Sequence, residues 1–267
     1  MKPAKFSISS AIYAATLGWV FGFLRAYRSQ TRIAGLITAG ILVVEVGIIH
    51  IQAARGVASH FNFRTPFDAA MYIVMGTAIL VLWLASVWIA VLLFRTRFSN
   101  AALGWAIRLG MIITVIGAIS GALMTRPTPS QQQAIVAHRL PPAIGAHTVG
   151  APDGTPGLPV TGWSKQYGDL RIAHFLGLHG VQFVPLLYTF FMRRSRAAVR
   201  KVFVAAASYL CLTLVVLCQA LRAQSILHPD GLTLAMLACW ALATLLAWII
   251  AERQKDTVSF PGAAEVI

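Results

Sequence analysis

Residues 67–94 read FDAAMYIVMGTAILVLWLASVWIAVLLF, a run whose one charged side chain, Asp68, stands at its start. About 20 helical residues at 1.5 Å each cross a hydrocarbon layer of roughly 30 Å, so this run is long enough to span a bilayer with tilt. Lipid offers no partner to a backbone amide or carbonyl, which leaves the α-helix as the conformation that satisfies both within one segment. Outward in both directions, further apolar runs occupy residues 9–25, 33–54, 101–124, 170–192, 199–225 and 231–251. The predicted fold class is all-α: a polytopic membrane bundle of seven transmembrane helices, forming one membrane domain over 1–267.

Composition agrees with that solvent. The chain is 58% hydrophobic and 11% charged, with a mean hydropathy of +0.73, far from the balance of a water-soluble domain. The first run has Lys2 and Lys5 before it, as a signal peptide would. Arg25, Tyr27 and Arg28 follow where a small-residue cleavage site would stand, so the run is read as a helix.

An odd number of spans puts the termini on opposite sides, and basic residues in short loops orient them. Arg25, Arg28 and Arg32, then Arg95 and Arg97, then Arg193, Arg194, Arg196, Arg200 and Lys201 fall in alternate connections that hold no acidic residue. These face the cytoplasm, joined by the tail with Arg253 and Lys255. The N-terminus and the segments near 55–66, 125–169 and 226–230 lie outside. The net charge of +14 is then the positive-inside pattern in contact with anionic lipid, and nucleic acid is not an expected partner. Cys211, Cys218 and Cys239 sit within predicted helices without metal-type spacing and are read as packing residues.

Ionisable side chains within spans face a bundle interior or a wet cavity, and they mark function. Here they gather in the outer half. Glu45, His50 and Gln52 lead into Arg55, Ser59, His60, Asn62, Arg64 and Asp68; the fifth run opens with Asp169, Arg171 and His174 and continues to His179 and Gln182; Gln219, Arg222, Gln224 and His228 close the sixth. With Arg55 and Arg171 at the interface, His50 lies roughly 7–8 Å inward, His174 roughly 4–5 Å, His179 roughly 12 Å and Glu45 roughly 15 Å, near the bilayer centre. A lone ionised Glu there is costly, so Glu45 is expected to be protonated or paired. Glu45 and Gln52, seven apart, share a face; His50 is offset from both, and His174 and His179 point differently, so two adjoining subsites are expected.

The segment 125–169 is long for a connection between spans, and loops of that length are either functional or disordered. Its embedded Ile135, Val136, Ile144, Val149, Leu158, Val160 and Trp163 favour a folded lid over the polar site, with His138 and His147 able to reach the cluster below. Gly18-xxx-Gly22 and Gly117-xxx-Gly121 predict close helix approach. Arg108 is expected to snorkel, and Trp83 and Trp88 to pack.

His147-Thr148-Val149-Gly150, Asp153-Gly154, Pro156-Gly157-Leu158-Pro159, Trp163-Ser164 and Gly168-Asp169-Leu170-Arg171 with His174-Phe175 resemble a group of uncharacterised bacterial multi-pass membrane proteins. Arg55-Gly56 with Ser59-His60-Phe61-Asn62 adds to the likeness, which covers about residues 45–185. The resemblance implies a bacterial inner (plasma) membrane and carries no activity with it.

Three chemistries fit the polar set. In the first, His50 and either His174 or His179 ligate a b-type haem across the bundle, with Arg55 and Arg171 on its propionates, giving a redox protein. The paired histidine spacing of di-haem bundles is absent. In the second, His50, His60, His174 and His179 hold zinc while Glu45, Asp68 or Asp169 serve acid–base catalysis in a hydrolase-like enzyme; no HExxH pattern accompanies it. In the third no cofactor is bound: Glu45 carries protons, and Arg55, Arg64, Arg126, Arg171 and Arg222 attract an anionic solute. Each expects a small molecule or a redox partner arriving from the outer side, and a second copy of the chain is a further expected partner. No phosphate loop, nucleophile elbow or kinase signature occurs.

Overall fold

The computed structural model describes residues 2–254, so Lys255 of the predicted cytoplasmic tail lies outside the described residues. The protein is predominantly helical. Its long helices are α1 (Lys2–Phe21), α2 (Arg28–Ala54), α3 (Pro66–Arg95), α4 (Ala101–Met124), α8 (Ala198–Leu221) and α9 (Gly231–Arg253). The short α5 (Pro129–Val136) and a two-stranded antiparallel ladder, β1 (Thr148–Val149) on β2 (Gly168–Asp169), belong to the segment after α4.

Five helices, α2, α3, α4, α8 and α9, are long and apolar enough to cross a membrane, and a sixth candidate span is the broken run from Leu170 to Met192. α1 falls outside this set, because Lys2, Lys5, Ser7, Ser9, Ser10 and Thr16 dilute its apolar content. It is nonetheless built into the bundle: Leu17, Val20 and Leu24 are buried against Ile89, Leu92 and Leu93 of α3 and Ile107 and Met111 of α4.

The run at 170–192, expected as one helix, is α6 (Leu170–Leu178) and α7 (Gly180–Leu187) with a π-turn over Tyr188–Met192, the two parts bent by 56°. Gly177 and Gly180 explain the bend. α4 presses its backbone so closely here that a Cβ on Gly117 would stand 2.3 Å from the Gly177 Cα, and one on Gly110 2.6 Å from the Gly180 carbonyl oxygen. Groups freed by the break find partners on neighbouring helices, as buried backbone must: Val181 N–H donates to Thr114 Oγ1 at 3.0 Å, the Thr114 hydroxyl donates to the Leu178 carbonyl at 3.2 Å, and the Tyr209 hydroxyl donates to the Leu176 carbonyl at 2.6 Å. The predicted approach at Gly117 is therefore real, whereas a Cβ added on Gly18 would meet nothing within 4 Å.

Side-chain caps start α3 (Thr65), α4 (Asn100), α5 (Thr128), α6 (Asp169) and α9 (Asp230), each accepting from an N–H of the first turn. The sixth predicted run ends at Leu221, four residues before the expected 225, where Arg222 turns aside to pair with Asp230. Hydrogen bonds donated by the Arg222 guanidinium and by the Thr233 N–H at the start of α9 hold the Asp230 carboxyl well below the usual carboxylate range.

The bundle has two unlike ends. At one, the loop end, Lys5 donates to the Thr161 carbonyl and the Ser225 hydroxyl to the Lys165 carbonyl, so the start of α1, the segment 125–169 and the exit of α8 are tied together. At the other, the basic end, Arg200 donates to the Ala251 carbonyl, Lys201 pairs with Glu252, and Arg108 donates to the carbonyls of Leu93 and Thr96. Arg108 thus caps the C-terminal end of α3 and is set over the rings of Phe94, Phe98 and Trp105. Trp83 packs as expected, its indole N–H donating to the Val115 carbonyl, but Trp88 and all three cysteines are exposed on the outside of the bundle rather than packed within it.

Candidate functional site

Four positions seven residues apart, Thr31, Thr38, Glu45 and Gln52, are all buried on α2. Seven residues turn an α-helix through nearly two full revolutions, so the four form one polar stripe about 30 Å long on the face turned into the bundle. Its two ends are satisfied. Thr31 donates to backbone of its own helix, and Gln52 lies in a network at the loop end: Gln52 Nε2 donates to Asp68 Oδ1 at 3.0 Å, Arg55 donates to Gln52 Oε1, and Arg55 reaches Asp68 Oδ1 at 2.6 Å. The Thr65 hydroxyl donates to the other Asp68 oxygen at 2.8 Å. The middle of the stripe is different. Among the described residues, three buried side-chain atoms have no hydrogen-bond partner, Thr38 Oγ1, Glu45 Oε1 and Gln182 Oε1, and two of them belong to this stripe.

Gln182 on α7 donates through Nε2 to Thr16 Oγ1 of α1 at 3.2 Å, leaving its carbonyl oxygen unused. Nearby on α1, the Tyr13 hydroxyl is 2.9 Å from Ser86 Oγ of α3. Polar groups thus enter the apolar part of the bundle from α1, α2, α3 and α7.

The remaining predicted site residues fall into two groups. Asp68 and Asp169 are saturated. Asp169, 1% exposed, accepts from Ser164 N–H at 2.8 Å, from Arg171 N–H at 3.0 Å and from the Arg171 guanidinium at 2.9 and 2.5 Å. It caps α6 and closes the preceding loop, while Arg171 also donates to the Gly162 carbonyl. Arg55 and Arg171, expected on haem propionates, are both engaged by these carboxylates.

The histidines are dispersed. His50 is exposed, its Nδ1 2.8 Å from the Val46 carbonyl. His179, at the helix break, stacks on Phe175 at 4.1 Å, with Nδ1 2.8 Å from the Phe175 carbonyl. His174 lies in the close seam with α4, its Nδ1 3.1 Å from Ser120 Oγ and 3.3 Å from the Gly117 carbonyl. A carbonyl can only accept, so each of these rings carries a proton on Nδ1, and in the neutral form of the ring Nε2 is the lone pair. That tautomer suits a metal ligand, but it is also the default for a helical histidine bonded one turn back. α2 packs mainly on α1 and α3, whereas α6 packs mainly on α4 and α8, so His50 does not face His174 or His179 across a helix pair. Among the described residues no three His, Cys, Asp or Glu side chains converge as metal ligands would. The haem and zinc readings find no support in this arrangement.

His60 belongs to the segment that caps the loop end. Its Nδ1 accepts from the Lys2 ammonium at 3.2 Å and lies 3.0 Å from Ser59 Oγ, and its ring packs beside Phe6, Phe61 and Tyr72. An ammonium can only donate, so His60 is neutral with its proton on Nε2. Burial, with the charges of Lys2 and His147 added, draws its pKa down to about 3. His147 completes the cap, stacked edge-on to Phe61 at 4.8 Å and paired with Asp153 at 2.6 Å. Burial alone would push the Asp153 carboxyl up, but the hydrogen bond and charge of the His147 ring and the N–H groups of His147 and Thr148 outweigh it and hold it well below the usual range.

The segment 125–169 is folded down on the bundle. Gln131 donates to the Gly145 carbonyl and accepts from Gly145 N–H, Ile144 N–H donates to the Phe61 carbonyl and Leu170 N–H to the His147 carbonyl. Gly145, at φ +104°, lies so close to α4 that a Cβ would stand 2.5 Å from the Met124 carbonyl oxygen. Of its apolar residues, Val149 packs with Phe61, Met124, Leu170 and Ala220, and Trp163 with Ile172, Ala173 and Val216, while Val136 and Val160 are exposed.

Comparison with protein families, with curated proteins and with solved structures gives no match.

Proposed function

We infer that this chain is a proton-coupled membrane transporter in which Glu45 takes up and releases the proton. The observation that carries the reading is a carboxyl group, 6% exposed, whose Oε1 has no partner. An unpaired carboxylate in an apolar interior costs several kcal/mol, so the group is carried as the neutral acid and ionises only when a proton acceptor or a solute reaches it. A packing role needs no carboxyl at that depth.

Two further features support it. The stripe Thr31, Thr38, Glu45, Gln52 lines one face of α2 from end to end, with steps of about 10 Å that water molecules would have to bridge. The span from Leu170 to Met192 is broken at His179–Gly180, and broken helices with re-satisfied backbone mark the solute paths of many transporters. The preference for an anion expected from the arginines is weakened, because Arg55, Arg171 and Arg222 pair with Asp68, Asp169 and Asp230. Arg64 and Arg126 have no carboxylate partner among the described residues and carry that preference alone.

In this reading α1 counts with the six spans, making seven, and the basic end faces the cytoplasm of a bacterial inner membrane by the positive-inside rule. The loop end, with the N-terminus, is then external, and the segment 125–169 is a lid over the path to Glu45. The test uses proteoliposomes loaded with a pH-sensitive dye and driven by a potassium diffusion potential, with a panel of small solutes added outside. Proton movement that depends on one solute, and that Glu45→Gln abolishes, is the expected result. Solute-dependent proton movement untouched by Glu45→Gln contradicts the assignment.

A further inference from the structure

On the outer surface of the bundle, α3 and α4 leave a groove of about 420 Å³ lined by Val87, Ala90, Val91 and Phe94 on one side and Ile112, Val115 and Ile116 on the other, with Arg95 at one end. Its walls are almost wholly hydrocarbon. From Val87 to Arg95 it runs about 12 Å along α3, close to the roughly 15 Å depth of one leaflet. One turn before Val87 on α3, the Trp83 indole N–H donates to the carbonyl of Val115, itself a lining residue.

The lower end is cationic. Arg95 is exposed, and the Arg108 guanidinium lies 5.8 Å from the Phe94 ring at the foot of the groove. Arg108 gives Nε and Nη2 to the carbonyls of Leu93 and Thr96, and neither arginine has a carboxylate partner among the described residues. An apolar slot one leaflet deep that ends in two uncompensated guanidinium groups is complementary to an acyl chain joined to a phosphodiester.

We propose that this groove is a binding site for a single anionic phospholipid of the leaflet at the basic end, one acyl chain lying between Val87 and Phe94 and the phosphate held at Arg95 and Arg108. The site is independent of Glu45. It gives α3 and α4 a fixed lipid neighbour on the side of α4 remote from the seam with α6 and α7.

Native mass spectrometry of the detergent-purified chain tests it, with phosphatidylglycerol and phosphatidylcholine of identical acyl chains supplied in equal amounts. The phosphatidylglycerol adduct should exceed the phosphatidylcholine adduct by about fivefold. Arg95→Gln should bring the ratio near one, whereas Arg97→Gln, on a residue outside the groove, leaves it unchanged. Ala90→Trp fills the slot and should reduce both adducts; Ile116→Trp, at a side chain already 40% exposed, does the same with less risk to folding. Equal adducts in the unmodified chain, equal losses in the Arg95 and Arg97 variants, or adducts untouched by both tryptophans would each overturn the proposal.

Discussion

The half of the bundle toward the basic end and the half toward the loop end are built from the same helices by different chemistry. In the first, Leu17, Val20, Leu24, Ile89, Leu92, Leu93, Ile107 and Met111 interlock with almost no polar atom among them. In the second, Gln52, Asp68, Ser120, Asp169 and Gln219 are buried, and each has hydrogen-bond partners. A buried polar group without a partner costs about 1–3 kcal/mol, and a charge costs more. The loop-end half is therefore tolerable only because its network closes. Against that background the free oxygens of Thr38, Glu45 and Gln182, between the two halves, are the exception that suggests work.

The sharpest way to break the comparison is to force the helices apart where both halves meet. Gly117→Val places side-chain atoms where the Gly177 backbone already lies, and overpacking of that kind costs about 3 kcal/mol or more. Folded protein should be lost from size-exclusion profiles, while Gly18→Ala, with open space around it, elutes unchanged. Next in size is Asp169→Ala, which strips acceptors from Ser164 and Arg171 together. A loss of about 2–3 kcal/mol is expected, read as a lowered midpoint in thermal unfolding and as faster proteolysis within 125–169. Thr114→Val leaves the Val181 N–H and the Leu178 carbonyl at the helix break without their partner and should cost about 1–2 kcal/mol, with hydrogen exchange quickened at Val181.

Much of this was legible in the sequence, for a physical reason. Apolar length is dictated by the bilayer, so α3 and α4 were found to within a residue, and the end of α2 at Ala54 was found as well. The interior face of α2 was half visible in the spacing of Glu45 and Gln52; carrying the same interval back to Thr38 and Thr31 completes the stripe. The broken span was hidden, because hydropathy registers length and apolarity but not backbone continuity. Gly177, Gly180 and Pro185 were its signal, and the partners that make the break affordable, Thr114 and Tyr209, lie on other helices and could not be inferred locally. The histidines show the limit of reading depth alone. The rise per residue places His50 and His174 at comparable expected levels, but level along the normal says nothing about which face a side chain occupies.

The smallest effect is expected at the loop-end cap, and it depends on pH. His60 is neutral in the folded protein, with its pKa drawn from 6.5 to about 3. Between those values the unfolded chain binds a proton that the folded chain refuses, so stability is full above about pH 6.5 and declines as the pH falls. Partial exposure of the ring limits the loss to about 1 kcal/mol between pH 6.5 and 5. His60→Gln should flatten the thermal midpoint over that window while leaving the value at pH 8 little changed.

The central claim is that Glu45 is an unpartnered acid that exchanges its proton within the membrane, and infrared difference spectroscopy of the protein in lipid, stepped from low to high pH, addresses it most directly. A protonated carboxyl band that disappears on alkalinisation, shifts in heavy water and is missing from Glu45→Gln is the predicted result. The same band present in Glu45→Gln, or no protonated carboxyl at any pH, would contradict it.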